Sequence, residues 1–344
     1  ESRGLGDVYK RQFFPQMVQG PISRYDQLAP QLLAERSLDW RDLKFGIQLC
    51  LWGYFKKLVI ADRAAVLVNA VITENCPYGG AVIASGILFY CIQLYCDFSG
   101  GIDITRGVAR LFGIDMAENF RRPIFATSLT DYWRRWHITL GAWMRDYVFY
   151  PLSLSKSFGR LSRWARTHIR GTGGKIFATS LATFIVYLII GIWHGANFRY
   201  IAFGLWNGVL ITASLLLEKT FLLQWLDRVP AVVGHIYTCL CFIMGWVLFA
   251  ITDFTQLGAY LGHMFSGTLF DGTAAYLLRS FWLVLVLAVI GCTSLPKRLW
   301  SRWEGGMAPA ASDALRTVWM VLVLLVSVAF LVGDSYNPFL YFRF

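Results

Sequence analysis

The 344-residue chain is 56% hydrophobic and only 15% charged, and its 32 Lys and Arg against 21 Asp and Glu give a net charge of +11. A mean hydropathy of +0.49 with so few charges excludes an ordinary soluble domain, in which about a quarter of the residues are charged. The basic excess lies between apolar runs, where it sets orientation in a membrane, and no nucleic-acid-binding motif accompanies it.

In chain order, residues 1–12 match neither a signal peptide nor a helix and begin without methionine. They are expected to be a cloning or sequencing remnant and are left out of fold reasoning. Residues 13–344 are expected to form one membrane domain, as a fragment whose first helices are missing. A spanning helix needs about 20 largely apolar residues. The sequence predicts seven: 45–71, 81–95, 176–193, 198–217, 231–251, 275–290 and 318–332. The first is interrupted by Lys56, Lys57, Asp62 and Arg63. A charge there costs roughly 2.5–3.5 kcal/mol, so either Lys56 or Lys57 pairs with Asp62 or the helix bends to let them reach water. Arg24, Arg36, Arg41 and Lys44 precede the first span, and Lys219 and Arg228 follow the fourth, whereas 69–80 and 252–273 hold no Lys or Arg. This alternation agrees with one topology whose basic loops face the cytoplasm.

The stretch 97–174 is too long for a simple connection. Rich in Trp, Tyr and Arg, it reads as short amphipathic helices in the membrane interface or dipping into it. Asp97-Phe98-Ser99-Gly100-Gly101 ends the second span, where the aspartate either orients a histidine or arginine or caps a following helix, the latter being preferred. Glu118-Asn119-Phe120-Arg121-Arg122-Pro123 is either a rigid turn before a helix-breaking proline or a wall for an acyl-carrying group. In Asp131-Tyr132-Trp133-Arg134-Arg135-Trp136-His137, one helix would pair Asp131 with Arg135 and put Trp133 and His137 on one face. The run 176–192 closes on Trp193-His194-Gly195-Ala196. A histidine there needs a partner or a job, and neutral imidazole is the one strong base that sits there without a fixed charge. The bland reading of either histidine remains: a satisfied core residue at 194, an incidental one at 137. Gly191 and Gly195 allow another helix to approach closely, and Asn197 with Trp206-Asn207 adds polar and aromatic groups. The seven cysteines have neither zinc-finger nor disulfide spacing. No Gly-rich phosphate loop, His-Glu-x-x-His or Gly-x-Ser-x-Gly is present, so phosphoryl transfer, zinc proteolysis and serine hydrolysis lack support.

At these residues the chain resembles the membrane-bound O-acyltransferase family. The branch is that of the alginate O-acetylation membrane subunit and the teichoic-acid D-alanyl transfer protein. The matching segments are Phe13-Phe14-Pro15-Gln16 with Gly20-Pro21-Ile22-Ser23-Arg24-Tyr25, Phe55-Lys56-Lys57, Asp97-Phe98-Ser99-Gly100, Glu118 to Pro123, Trp133-Arg134-Arg135-Trp136-His137, Trp193-His194-Gly195 and the tail Tyr336-Asn337-Pro338-Phe339-Leu340-Tyr341-Phe342. The resemblance implies an all-α polytopic bundle around a funnel and tunnel. It implies that His194 matches the catalytic histidine and His137 the second histidine of this branch, replaced by asparagine in some eukaryotic relatives. Trp193, Asn197, Asp97, Asn119, Arg134 and Trp136 are the expected supporting residues. No metal and no bound cofactor are expected.

Acyl transfer to a hydroxyl needs a base, assigned to His194, and a donor to the developing oxyanion, assigned to His137 or a nearby N–H. The acyl group, acetyl by default and D-alanyl second, would come from acetyl-CoA or an acyl carrier protein thioester on the cytoplasmic side of a bacterial-type plasma membrane. The basic loop 156–175 either attracts an acidic carrier or coenzyme phosphate or reports topology alone. An extracytoplasmic acyltransferase partner would pass the group to a cell-wall or exopolysaccharide hydroxyl. The alternative from another class is a lipid-linked sugar transporter or flippase, against which the lack of internal repeats counts. A third is an inactive scaffold for a partner.

Overall fold

The computed structural model describes residues 13–17, 19–35, 37–72, 78–217, 228, 230–251, 253–254, 257–265, 270–333 and 337–340. The expected remnant 1–12, Arg36, Lys219, Tyr336, Tyr341, Phe342 and parts of the loops 69–80 and 252–273 lie outside the described residues. The described chain forms helices α1 (Tyr25–Leu33), α2 (Trp40–Tyr54), α3 (Asp62–Val71), α4 (Gly80–Leu111), α5 (Leu129–Arg135), α6 (Ile138–Met144), α7 (Tyr150–Ser153), α8 (Lys156–His168), α9 (Thr172–Trp193), α10 (Phe198–Leu217), α11 (Ala231–Ala250), α12 (Leu257–Met264), α13 (Gly272–Cys292), α14 (Leu295–Glu304) and α15 (Pro309–Gly333). Among the described residues there is no strand, only an isolated bridge between Phe120 and Trp136. Among the described residues, six helices are long and apolar enough to cross a membrane: α4, α9, α10, α11, α13 and α15. The expected first span, 45–71, is also continuously helical through α2, a π-helical turn (Phe55–Ala61) and α3, with Lys56, Lys57, Asp62 and Arg63 along it.

Two compact units divide the chain: residues 1–119 with 259–344, and residues 120–258. In the first unit, α2 runs antiparallel to α4 along a seam of glycines. A Cβ on Gly46 would lie 2.8 Å from the Gly107 carbonyl oxygen, and one on Gly53 2.6 Å from that of Gly100. Seven-residue glycine spacing on both helices lets the two backbones touch, the means by which helices pack in lipid without a hydrophobic driving force. The seam carries Lys56 and Lys57 onto the middle of α4. The Lys56 ammonium donates to Ser99 Oγ at 2.9 Å and pairs with Asp103 at 2.7 Å. Lys57 donates to Asp62 and Asp97, each at 2.8 Å, and to the Pro338 carbonyl at 3.3 Å.

The π turn explains the pairing of Lys57 with Asp62. Residues five apart face different directions on an α-helix but align where the backbone bonds i to i+5, and the Asp62 N–H donates to the Lys57 carbonyl in that manner. The tail completes the cluster: Asn337 Nδ2 donates to Asp62 at 2.7 Å, and the Leu340 N–H donates to Asp97 at 2.8 Å. The structure therefore bears out one expectation and corrects another. Lys57 pairs with Asp62 as one reading proposed, but with Asp97 as well. Asp97 caps nothing, because α4 continues through it to Leu111, and the second span is 32 residues long where 15 were expected.

The second unit begins with short helices followed by three spans; the short helices expected over 97–174 are found from Leu129 to His168, whereas 97–111 belong to α4 and 172–174 to α9. Arg122 takes a left-handed conformation (φ 48°) before Pro123, and the Arg121 N–H donates to the Arg135 carbonyl at 2.9 Å. This turn holds α5 at its C-terminal end. Helices α9 and α10 cross where Gly191 meets Gly204: a Cβ on Gly191 would stand 2.5 Å from the Tyr200 carbonyl oxygen and 3.1 Å from Gly204 Cα. The close approach expected of Gly191 is thus made by α10.

Candidate active site

His194 is the residue at which α9 stops. Its backbone N–H still bonds back to Ile190 and Gly191, and Gly195 follows with φ 145°, a conformation that favours glycine. A Cβ at 195 would also press to 2.9 Å from the Tyr200 ring. The His194 imidazole sits among four aromatic rings. Trp193 is 4.9 Å away between centroids, Phe249 5.2 Å, Phe203 5.9 Å and Tyr200 6.1 Å, with Phe203 and Phe249 meeting it edge to face. The residue as a whole is half-buried.

His137 reaches the same tryptophan from the other side of the unit's sequence. Its ring is 6.3 Å from that of Trp193. Helix α5 ends at Arg135, Trp136 is extended and bridged to Phe120, and His137 adopts a left-handed conformation (φ 46°, ψ 54°) before α6 begins. The expectation that Trp133 and His137 share a helix face is therefore corrected: the helix stops between them. The expected Asp131–Arg135 pair is present at 3.0 Å. A left-handed histidine is uncommon outside turns and marks a strained position. His137 is buried, at 7% exposure.

Aromatic packing fixes both approaches. Trp136 stacks on Tyr132 (5.8 Å, 14°) and lies 5.0 Å from Trp246, whose Nε1 donates to the Tyr132 hydroxyl at 3.0 Å. Trp133 Nε1 donates to Asn207 Oδ1 at 3.1 Å, and Asn207 Nδ2 donates to the Phe203 carbonyl at 2.9 Å. Helices α5, α10 and α11 are thus tied together around the two imidazoles by rings whose polar edges are satisfied. Burial pushes the His137 imidazole below its ordinary range, and the neighbouring His194 adds to the shift; burial also lowers His194, one residue beyond its span. Both rings are neutral at pH 7, the form that accepts a proton.

Of the predicted site residues, His194, His137, Trp193 and Trp136 come together here. Asn197 is exposed and accepts the Arg199 N–H at 3.1 Å, a bond that starts α10. Arg134 is exposed. Asp97 and Asn119 are buried in the first unit, where Asp97 is engaged by Lys57. Sequence reasoning missed Tyr200, Phe203, Trp246 and Phe249. No local signal marks Phe249, which reaches His194 only because α11 packs on α10. Among the described residues no group of three or more His, Cys, Asp or Glu is placed to hold a metal ion.

The family model for MBOAT, the membrane-bound O-acyltransferase family, matches residues 11–252. The chain belongs to the membrane-bound O-acyltransferase family. Both histidines and their aromatic cage lie inside the matched region. The chain is 31% identical over 349 residues to the probable alginate O-acetylase AlgI of Pseudomonas putida, covering 96% of this chain and 67% of that protein. It is 26% identical over 356 residues to a peptidoglycan O-acetyltransferase of Helicobacter pylori, covering 96% and 63%. It is 31% identical over 212 residues to a teichoic acid D-alanyltransferase of Bacillus subtilis, covering 60% and 50%. Against the Pseudomonas fluorescens AlgI the match spans 46% of that relative's length. Family membership and the six apolar helices make this an integral membrane acyltransferase-family protein, which favours acyl transfer over the transporter alternative.

Proposed function

We propose that this chain catalyses O-acyl transfer in the bacterial plasma membrane. It takes an acyl group, acetyl by default, from a thioester donor on the cytoplasmic side. The group moves toward a hydroxyl of an extracytoplasmic cell-wall or exopolysaccharide acceptor, through a partner acyltransferase. The observation that carries this reading is the pair of imidazoles held against one tryptophan. His194 takes the proton of the attacking hydroxyl as its oxygen bonds to the acyl carbon. His137, deeper and locked by its backbone, donates a hydrogen bond to the developing oxyanion. When the tetrahedral intermediate collapses, the thiolate leaves and the proton on His194 passes to it. Base catalysis of this kind contributes about 10²–10⁴-fold, or roughly 3–5 kcal/mol at ~1.4 kcal/mol per decade.

The test is His194→Ala in membranes at matched protein level, with labelled acetyl followed into acceptor. The expected result is a loss of ~10²–10⁴-fold in turnover. Near-parental transfer would remove His194 as the base. A parallel arm supplies labelled D-alanyl donor, because a D-alanyltransferase is among the relatives. Incorporation of D-alanine without acetate would reassign the acyl group and leave the site chemistry standing.

A further inference from the structure

We propose that helix α8 is a binding surface for anionic lipid headgroups at the membrane face where α9 enters. Its cations recur at helical spacing: Lys156, Arg160, Arg163 and Arg166, continued by Arg170 and then Lys175. Within α8, steps of three and four residues place Lys156, Arg160, Arg163 and Arg166 along one face, Arg170 and Lys175 follow beyond its end, and all six are exposed. No Asp or Glu occurs between Asp146 and Glu218, so the chain supplies no carboxylate along this whole stretch to neutralise them. A stripe of uncompensated cations calls for an anionic partner.

The opposite face fixes which way the stripe points. Ala165 is fully buried, and a Cβ on Gly174 of α9 would lie 2.7 Å from its carbonyl oxygen. The Trp164 ring meets Phe177 of α9 edge-on at 6.4 Å. This packing locks the rotation of α8 and turns the basic face outward. Only Ile169, Arg170 and Gly171 separate α8 from the start of the spanning helix, so the stripe lies at headgroup depth. Beside it, Leu154 is 82% exposed, Tyr150 47% and Trp164 49%. Apolar and aromatic side chains that project next to cations are the signature of an interfacial helix. Depth and these anchors favour a lipid surface over a soluble acidic protein.

Each cation near an anionic surface contributes about fivefold in affinity, from ~1 kcal/mol per basic residue. The experiment purifies the full chain, equilibrates it with mixed phosphatidylglycerol and phosphatidylcholine micelles, and reads the retained lipid by native mass spectrometry. The parent should retain phosphatidylglycerol selectively, and raised salt should reduce the selectivity. The triple variant Arg160→Gln, Arg163→Gln, Arg166→Gln should lose it by roughly 100-fold at about fivefold per charge. The exposed positions leave the α9 packing untouched, and the charge-keeping variant Arg160→Lys, Arg163→Lys, Arg166→Lys should retain the parental preference. Equal retention of both lipids by the parent overturns the proposal. So does displacement of the retained lipid by inorganic phosphate at equal charge, which would mark a site for a free anion, or by an acidic carrier protein, which would mark a protein surface.

Discussion

Replacing Lys57 with methionine keeps the aliphatic stem and deletes the ammonium. In the structure that ammonium spends its three protons on Asp62, Asp97 and the Pro338 carbonyl. The side chains of Lys57 and Asp97 are 4% and 2% exposed, so water cannot replace the lost partner. Lys57→Met leaves two carboxylates facing one another, with, among the described residues, only the Asn337 amide and the Leu340 N–H still donating to them. Removing one member of a buried ion pair costs about 3–5 kcal/mol. At about 2 °C per kcal/mol, the value suited to a long chain, the apparent melting temperature should fall by roughly 6–10 °C. The assay is thermal unfolding of the purified protein in one detergent, followed by tryptophan fluorescence. Adding Asp62→Asn and Asp97→Asn to Lys57→Met removes the uncompensated charge and should recover most of the loss, since a neutral core of similar volume is tolerated. If Lys57→Met melts within about 2 °C of the parent, or if the two asparagines recover nothing, the electrostatic account of this cluster is wrong.

The glycine crossing is open to a similar test. Gly191→Ala drives a Cβ to 2.5 Å from the Tyr200 carbonyl oxygen, so α9 and α10 must separate; overpacking of this kind costs about 1–3 kcal/mol, and acyl transfer should fall with it because Tyr200 walls the His194 cage. Protein that melts like the parent and retains full turnover would contradict the crossing. The lowered pKa values of His137 and His194 fix the direction of a pH effect. The unfolded chain binds protons at these positions below about pH 6.5 while the folded chain does not. Their contribution to stability is therefore complete above about pH 6.5 and is lost as pH falls toward the folded values. Melting scans from neutral to mildly acidic pH should show this fall, and a His137→Asn protein should show a shallower one. For the same reason the acid limb of transfer should lie well below the ordinary histidine range. A limb centred near 6.5 would place an unburied group in the role of base.

The spans and the two histidines are legible in the sequence because each rests on local information. Six of the expected apolar runs are spanning helices, and Gly191 announces a close crossing. The cage around His194 is not legible in this way. Phe203 and Phe249 are unremarkable residues within apolar helices, and only the packing of α11 on α10 gives them a shared task. Asp97 shows a second limit. Its position after an apolar run suggests a helix boundary, yet the helix continues because Lys57, carried in by the Gly53–Gly100 contact, removes the cost of a buried carboxylate. The glycine spacing that makes this possible was visible in both helices, but nothing local paired one helix with the other. The π turn was hidden for another reason: Lys57 and Asp62 are five apart, a spacing that matches no face of a regular α-helix.

The backbone at position 137 allows the role of its ring to be separated from the role of its strain. A left-handed conformation costs an ordinary residue about 1–2 kcal/mol, which Asn largely avoids. His137→Asn therefore keeps the turn between α5 and α6 and replaces the imidazole with an amide that still donates. His137→Ala keeps neither. Burial lowers both imidazoles, but His137 is lowered further by His194 beside it, which makes it the weaker base of the two and leaves its N–H as the useful group. The expected order follows from that assignment. His137→Asn should hold transfer within about tenfold of the parent, whereas His137→Ala should lose about 10²–10³-fold, the usual cost of an oxyanion donor. The measurement is turnover at matched folded protein, with melting temperatures recorded for both variants. An asparagine variant that folds like the parent but is as inactive as the alanine variant would show that a proton must move through residue 137, and His137 would then share the base chemistry assigned to His194.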